Sequence, residues 1–225
     1  KRMDKEIQGN KDNHYPVTNI KVEINEDDSI SFYNGDTTDP QIFTVQGLLE
    51  ELEPYETNIA NAHLKINKDI TTIVKKTDVH HGVFRTRGVK ILAGINTKCS
   101  IHKESSVRLK IHLEQTYFSA RLSNERLRVA KSVKSTEDVL VMFSGAAPYP
   151  LVIWKHAKPQ SITGIEINPK AHELAVENLR LNKCDEIQLY NGDVRSVLPS
   201  LKKFDRIIMP LPKTSEEFLP LALQH

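Results

Sequence analysis

Residues 139–150 read VLVMFSGAAPYP, an apolar run that ends in a loop of small residues, and residues 162–169 read ITGIEINP, a second apolar run that ends in a carboxylate. A helical pattern lies between them. Strand, small-residue loop, helix and acid-tipped strand make the first half of a nucleotide-type α/β unit, and no other stretch constrains the fold as tightly. The alternation continues downstream. Strands are expected at 139–143, 161–166, 186–190 and 204–209, with helices near 149–157, 169–182 and 215–223. Such alternation predicts a parallel sheet with helices packed on its faces.

The loop also sorts the cofactors. A dinucleotide site needs several glycines so that backbone can approach a pyrophosphate, and Ser144-Gly145-Ala146-Ala147-Pro148 has one. A phosphate-binding P-loop needs Gly-Lys-Ser/Thr, which is absent. S-adenosylmethionine carries an adenosine and no phosphate, so a loop with fewer glycines admits it. Glu166, at the end of the second expected strand, is placed to accept both ribose hydroxyls, and Asp193, after the third, to accept from the adenine amino group. Loop, Glu166 and Asp193 at consecutive strand ends point to S-adenosylmethionine as the cofactor.

Charge is unevenly spread upstream. Residues 1–40 carry five Lys/Arg against nine Asp/Glu, residues 57–134 sixteen against five, and residues 135–225 ten against eleven. A middle third this basic suits a polyanion such as RNA. Within it, Val107, Leu109, Ile111 and Leu113 alternate with Arg108, Lys110 and His112, giving a sheet with one apolar and one basic face, the latter a surface for a phosphate backbone. Residues 56–70 place Ile59, Ala62, Ile66 and Ile70 at helical spacing, and 123–133 read as a capped helix. Short strands are expected at 20–24 and 30–33 around Glu26-Asp27-Asp28, then at 42–45, 71–74, 89–95 and 107–118. Residues 1–19 read as a mobile terminus and 35–40 as a linker. Three segments follow: a polar, acidic stretch over 1–40, a basic α+β RNA-binding domain over 41–133, and a cofactor-binding α/β domain over 134–225.

Cys99 and Cys184 are far apart with no secretory signal, which fits a reducing cytoplasm better than a disulfide. Cys99 and His102 lack a second pair at ligand spacing, so no metal site is expected. No apolar run reaches the ~20 residues that span a bilayer.

The motifs FSGAAPYP, GIEINPKAHELAVENLRLN, NGDVR and FDRIIMPLP, in that order, resemble the class I methyltransferase domain of the archaeal and eukaryotic tRNA (guanine-N1)-methyltransferases. Upstream, FRTRGVKILAG and SIHKESSVRLKIHLEQTYFSARLSNERLRVA are similar to that family's second domain with its FSPRL…ER signature. The resemblance implies a Rossmann-like fold and methyl transfer to N1 of the guanosine at position 37 of tRNA, just 3′ of the anticodon. It also implies a basic domain that helps hold the anticodon stem-loop region. On the residues, it implies that Phe143, Ser144, Gly145, Ala146 and Pro148 enclose the methionine end of the cofactor, Glu166 holds its ribose and Asp193 its adenine. Ile167, Val194 and Pro210 complete the cofactor set. Glu137 matches the family's general base and Arg121 its arginine acting on the guanine. Losing the N1 proton calls for a carboxylate, and charge building on O6 favours a guanidinium. From the residues alone, Glu137 also reads as a surface acid ahead of a strand, and Arg121 as a phosphate contact or a helix-start residue.

The chain departs from the family pattern in three places. Val141 stands where the family has Asp, and Pro210-Leu211-Pro212 replaces Asn-Leu-Pro, removing the amide that reads the guanine. The third is the ending at His225, one helix beyond the fourth strand, which reads either as a fragment or as an apolar edge that another chain completes, open to self-association. Two further readings therefore stand beside methyl transfer: aminocarboxypropyl transfer from the same cofactor, as in wyosine synthesis, and a tRNA-binding relative without catalysis.

Overall fold

The computed structural model describes residues 5–6, 21–24, 30–33, 42–45, 50–78, 82–210 and 215–225. The chain divides into two compact units, residues 1–78 with 89–98, and residues 79–88 with 99–225.

In the first unit, β1 (Lys5–Glu6), β2 (Lys21–Ile24) and β3 (Ile30–Tyr33) form an antiparallel sheet in which Val22 faces Phe32. The pairing of β2 with β3 is the hairpin the alternation predicts; β1 is a strand inside the segment read as an unstructured terminus. The remainder of that terminus, the acidic turn at 26–28 and the linker at 35–40 lie outside the described residues. A second sheet has the order β4 (Ile42–Val45), β5 (Thr72–Lys76), β6 (Val89–Gly94), with β4 parallel to β5 and β6 antiparallel to it. Helix α1 (Glu56–Ile66) ends four residues earlier than expected, because Asn67 turns extended and its side chain accepts from the Asp69 amide at 3.1 Å. Its buried face is also rotated from the expected one. Ala60 and Leu64 pack with Ile70, Ile73, Leu92 and Ala93, Ile59 is buried, and Ile66 is exposed. Glu56 binds Lys75 at 3.0 Å and Lys90 at 2.5 Å across this unit.

The second unit opens with a hairpin, β7 (Cys99–Glu104) paired with β8 (Val107–His112), followed by α2 (Ser123–Ser132). Then come β9 (Asp138–Met142), α3 (Pro148–Ala157), β10 (Ser161–Glu166), α4 (Pro169–Leu181), β11 (Ile187–Asn191), α5 (Val194–Val197), β12 (Arg206–Ile208) and α6 (Leu219–Ala222). The last four strands form one parallel sheet, ordered β11-β10-β9-β12. Val139 and Val141 point to one side of it, into a core with Val107, Leu109, Ile111, Ala130, Leu151 and Ile153. Leu140 and Met142 point to the other, toward Ile165, Val194, Leu198 and Ala222.

Two expectations are corrected here. The boundary near 133 gives way to one near 98, since the hairpin and α2 pack on the parallel sheet and belong to its unit. The basic face of β8 is also partly engaged inside the domain. Arg108 donates to the Leu181 carbonyl at 2.9 Å, and Lys110 pairs with Glu177 at 2.6 Å, both on α4. Buried Asn178 completes the seam, donating to the Lys110 and Ala146 carbonyls at 3.0 and 2.9 Å. No helix among the described residues is long and apolar enough to cross a membrane.

Candidate functional site

A parallel sheet sends every strand the same way, so the loops that follow the strands gather at one end. The strand order reverses at β9, with β10 on one side and β12 on the other, and ligands of such sheets bind at the strand ends beside that point. Here the loop after β9 is held in an unusual shape. Phe143, Gly145 and Ala147 have φ of 57°, 58° and 64°, and for Phe and Ala that left-handed conformation stores strain of the order of 1–3 kcal/mol each. The surroundings hold it: the Ser144 amide donates to the Ile165 carbonyl at 2.9 Å and the Gly145 amide to Glu166 Oε2 at 2.7 Å. The loop lies against β10 so closely that a Cβ on Gly164 would meet Ser144 Oγ at 3.0 Å and Leu189 Cδ2 at 2.8 Å.

Glu166 is 9% exposed, with Oε1 accepting from the Asn168 amide at 2.7 Å. Burial raises its pKa above the ordinary value, outweighing the amides of Asn168, Gly145 and Ile167, which pull it down. Asn168 caps α4 by accepting from the Lys170 and Ala171 amides, and donates to the Gln115 carbonyl at 2.7 Å.

Around Glu166 lies a cavity whose lining includes Phe143, Ser144, Gly145, Pro148, Ile167 and Pro210. The far wall was not legible in the sequence. It consists of Tyr117, Phe118, Ser119 and Leu122, the turn at Val83, Phe84 and Arg85, and Arg126 and Tyr149. Arg85 lies over the Tyr117 ring, 5.1 Å from its centroid. Arg126 is 2% exposed and forked onto Glu104 of β7 by two 2.5 Å bonds. It also donates to the Ser119 carbonyl at 3.1 Å and faces the Phe118 ring at 5.1 Å, so it props up the wall from behind. Burial pushes the Glu104 pKa upward, but the bonds from His102 and Arg126 and their charges overcome it and leave it lowered.

Of the residues singled out from sequence, the structure brings Phe143, Ser144, Gly145, Pro148, Glu166, Ile167 and Pro210 together. Arg121 is exposed between Ser119 and Leu122, which both line the cavity. Three others are not among the lining residues. Ala146 is buried and gives its carbonyl to Asn178. Val194 is in the core, and Asp193 caps α5 through the Arg195 amide at 2.8 Å.

Glu137 is not brought to the site, which corrects its assignment as a general base. It precedes β9, so the length of that strand, roughly 16 Å at ~3.3 Å per residue, separates it from the loop. Both its oxygens are taken by Arg206, at 2.6 and 2.9 Å, and that guanidinium, with the Lys134 amide, lowers its pKa. It ties the starts of β9 and β12 together. Leu211 and Pro212 lie outside the described residues.

A wider cavity, of about 530 Å³, lies at the other ends of α3 and α4. It has no strand-end acid, and its one carboxylate, Glu104, is consumed by Arg126. Among the described residues no cluster of His, Cys, Asp and Glu is arranged to hold a metal ion.

The reversed strand order, the left-handed loop and the buried acid at the end of β10 define a Rossmann-like domain of the methyltransferase class. Residues 100–225 match the TRM5/TYW2 methyltransferase domain and residues 43–97 the TYW2 N-terminal domain. The chain belongs to the TRM5/TYW2 methyltransferase family. It is 37% identical over 174 residues to the tRNA (guanine(37)-N(1))-methyltransferase Trm5b of Pyrococcus abyssi, covering 77% of this chain and 51% of that protein. Among solved structures it resembles the complex of aTrm5 with tRNALeu, with TM-score 0.73 and 32% identity over 84% of this chain and 55% of that one. It also resembles Pyrococcus horikoshii TYW2 in complex with MeSAdo, with TM-score 0.66 and 30% identity over 78% of this chain and 62% of that one. The chain thus spans about half the length of the curated Trm5b proteins it matches.

Proposed function

We propose that this chain binds S-adenosylmethionine and methylates N1 of the guanosine 3′ of the anticodon in tRNA. The observation that carries the reading is the buried Glu166 carboxylate, set beside a strained small-residue loop at the reversal of a parallel sheet. The lining fits the cofactor: Ser144 Oγ is buried and finds no hydrogen-bond partner among the described residues, and Glu166 is an acceptor of the right kind for a ribose diol. Glu166 would hold the ribose, the loop at 143–148 the methionine end, and Asp193, at the neighbouring strand end, the adenine amino group. The cofactor supplies a methyl group already activated by its sulfonium. The chain's contribution is therefore positioning, together with charge at the guanine. Arg121, with Arg85, would stabilise the negative charge that gathers on O6 as the N1 proton passes to solvent, the N1–methyl bond forming as the sulfonium–methyl bond breaks and S-adenosylhomocysteine leaves. A base in a folded tRNA must leave its stack to reach such a cavity, and the aromatic wall of Tyr117 and Phe118 suits an extruded base.

Two observations favour a second reading, aminocarboxypropyl transfer from the same cofactor: the TYW2-type segment at 43–97, and Pro210 where the methyltransferases have asparagine. Nucleoside mass spectrometry of tRNA incubated with the protein and S-adenosylmethionine decides. N1-methylguanosine is the expected product. An aminocarboxypropyl adduct establishes the second reading, and unmodified tRNA in the presence of bound cofactor refutes both.

A further inference from the structure

Helices α3 and α4 each begin at the cofactor cavity and end at the wider one. Pro148 and Tyr149 line the first and Trp154 and Lys155 the second, and likewise Ala171 and then Leu181. The second cavity is thus a groove about 15 Å away along α4, at ~1.5 Å per residue. The turn of the β7–β8 hairpin forms its third side, with Ser105 and Ser106 in left-handed conformations.

Four cations converge there, Lys103, Arg108, Lys155 and Lys183, and among the described residues none of them is paired with a carboxylate. Lys155, Lys183 and Arg108, the last through its bond to the Leu181 carbonyl, also complement helix C-termini, which accounts for three of the four charges. Lys103 comes from a strand and has no such reason to be there. The frame is built rather than loose. His156 Nε2 bonds the Ser105 carbonyl at 2.8 Å, and Asn182 exchanges two hydrogen bonds with the Arg108 backbone at 2.8 and 2.6 Å. The apolar side is Trp154, the chain's one tryptophan, with the Lys155 ammonium 5.7 Å from its ring centroid.

We infer that this groove is a second RNA contact, holding the phosphodiester backbone of the substrate tRNA away from the base being modified. The inference rests on the tRNA reading above. Unpaired cations beside an indole suit a chain of phosphates and sugars better than a protein, whose acidic side chains would bring no repeating charge. The contact would add affinity common to all sequences and leave the chemistry at the cofactor untouched.

The sole tryptophan makes the site its own reporter. Titrating the protein with tRNA is expected to change Trp154 emission with the same midpoint as binding measured by filter retention. The triple variant Lys103→Glu, Lys155→Glu, Lys183→Glu is expected to lose at least about tenfold in tRNA affinity and to flatten the plot of log affinity against log salt by about 2–3 units. Its S-adenosylmethionine affinity and thermal midpoint should match the parent's. A triple variant with parental tRNA affinity and salt slope overturns the inference. So does an emission change produced equally by millimolar inorganic phosphate, which would mark a site for small anions. If the parent protein binds no tRNA, the functional reading fails and the groove's role falls with it.

Discussion

At the scale of the residue, Glu166 concentrates the site's chemistry. Its ionised carboxylate accepts from donors, and protonation removes that capacity at one oxygen. Because burial raises its pKa, protonation begins at a higher pH than for a glutamate at its ordinary 4.5. Cofactor affinity, measured by calorimetry, is therefore expected to fall as pH is lowered from neutrality, with a midpoint above 4.5. In Glu166→Gln it should be about ten- to hundredfold weaker at pH 7, the worth of one charge-assisted hydrogen bond, and nearly flat with pH. A parental pH dependence in the variant would place the titrating group elsewhere. Glu137 shows how a residue's neighbourhood in sequence misleads. Four positions along a strand are enough to carry a carboxylate from one end of a sheet to the other, where Arg206 holds it.

At the scale of the element, the loop after β9 and strand β10 act as one piece. Gly164→Ala would press a methyl group against Ser144 and Leu189. Leu189 can turn away, but Ser144 belongs to a loop already strained at Phe143 and Ala147. Unfolding titrations should show a loss of about 1–3 kcal/mol, accompanied by weaker cofactor binding. Strands β9 and β10 were legible because strands buried on both faces read as continuous apolar runs. Strand β7 was not legible, for the opposite reason. Ser100, His102 and Glu104 point inward and Ile101 outward, because the interior there is an ion pair with Arg126 rather than a hydrocarbon core. The same inversion hid the far wall of the cavity, whose support is Arg126. The acid and the loop, which follow apolar runs, were visible; the wall, which follows a polar one, was not.

At the scale of the whole molecule, the basic middle third seen in the sequence is divided between the two units, and part of it is spent internally. Lys110 and Arg108 clamp the hairpin to α4, and Arg126 is buried against Glu104. Charge counted along a chain therefore overstates the charge it offers to RNA. The Glu104–Arg126 pair also bears on the folding of the second unit. Arg126→Met leaves buried Glu104 with His102 alone and should cost about 3–5 kcal/mol in chemical unfolding, whereas adding Glu104→Leu should recover a substantial share. Equal losses in the single and double variants would show that the pair carries no such coupling.

That pair has one more consequence. Arg126 is among the residues lining the first cavity and Glu104 among those lining the second, so one buried ion pair reaches both. Any coupling carried through it obeys reciprocity: whatever factor an occupant of one cavity imposes on affinity at the other, an occupant there returns in full.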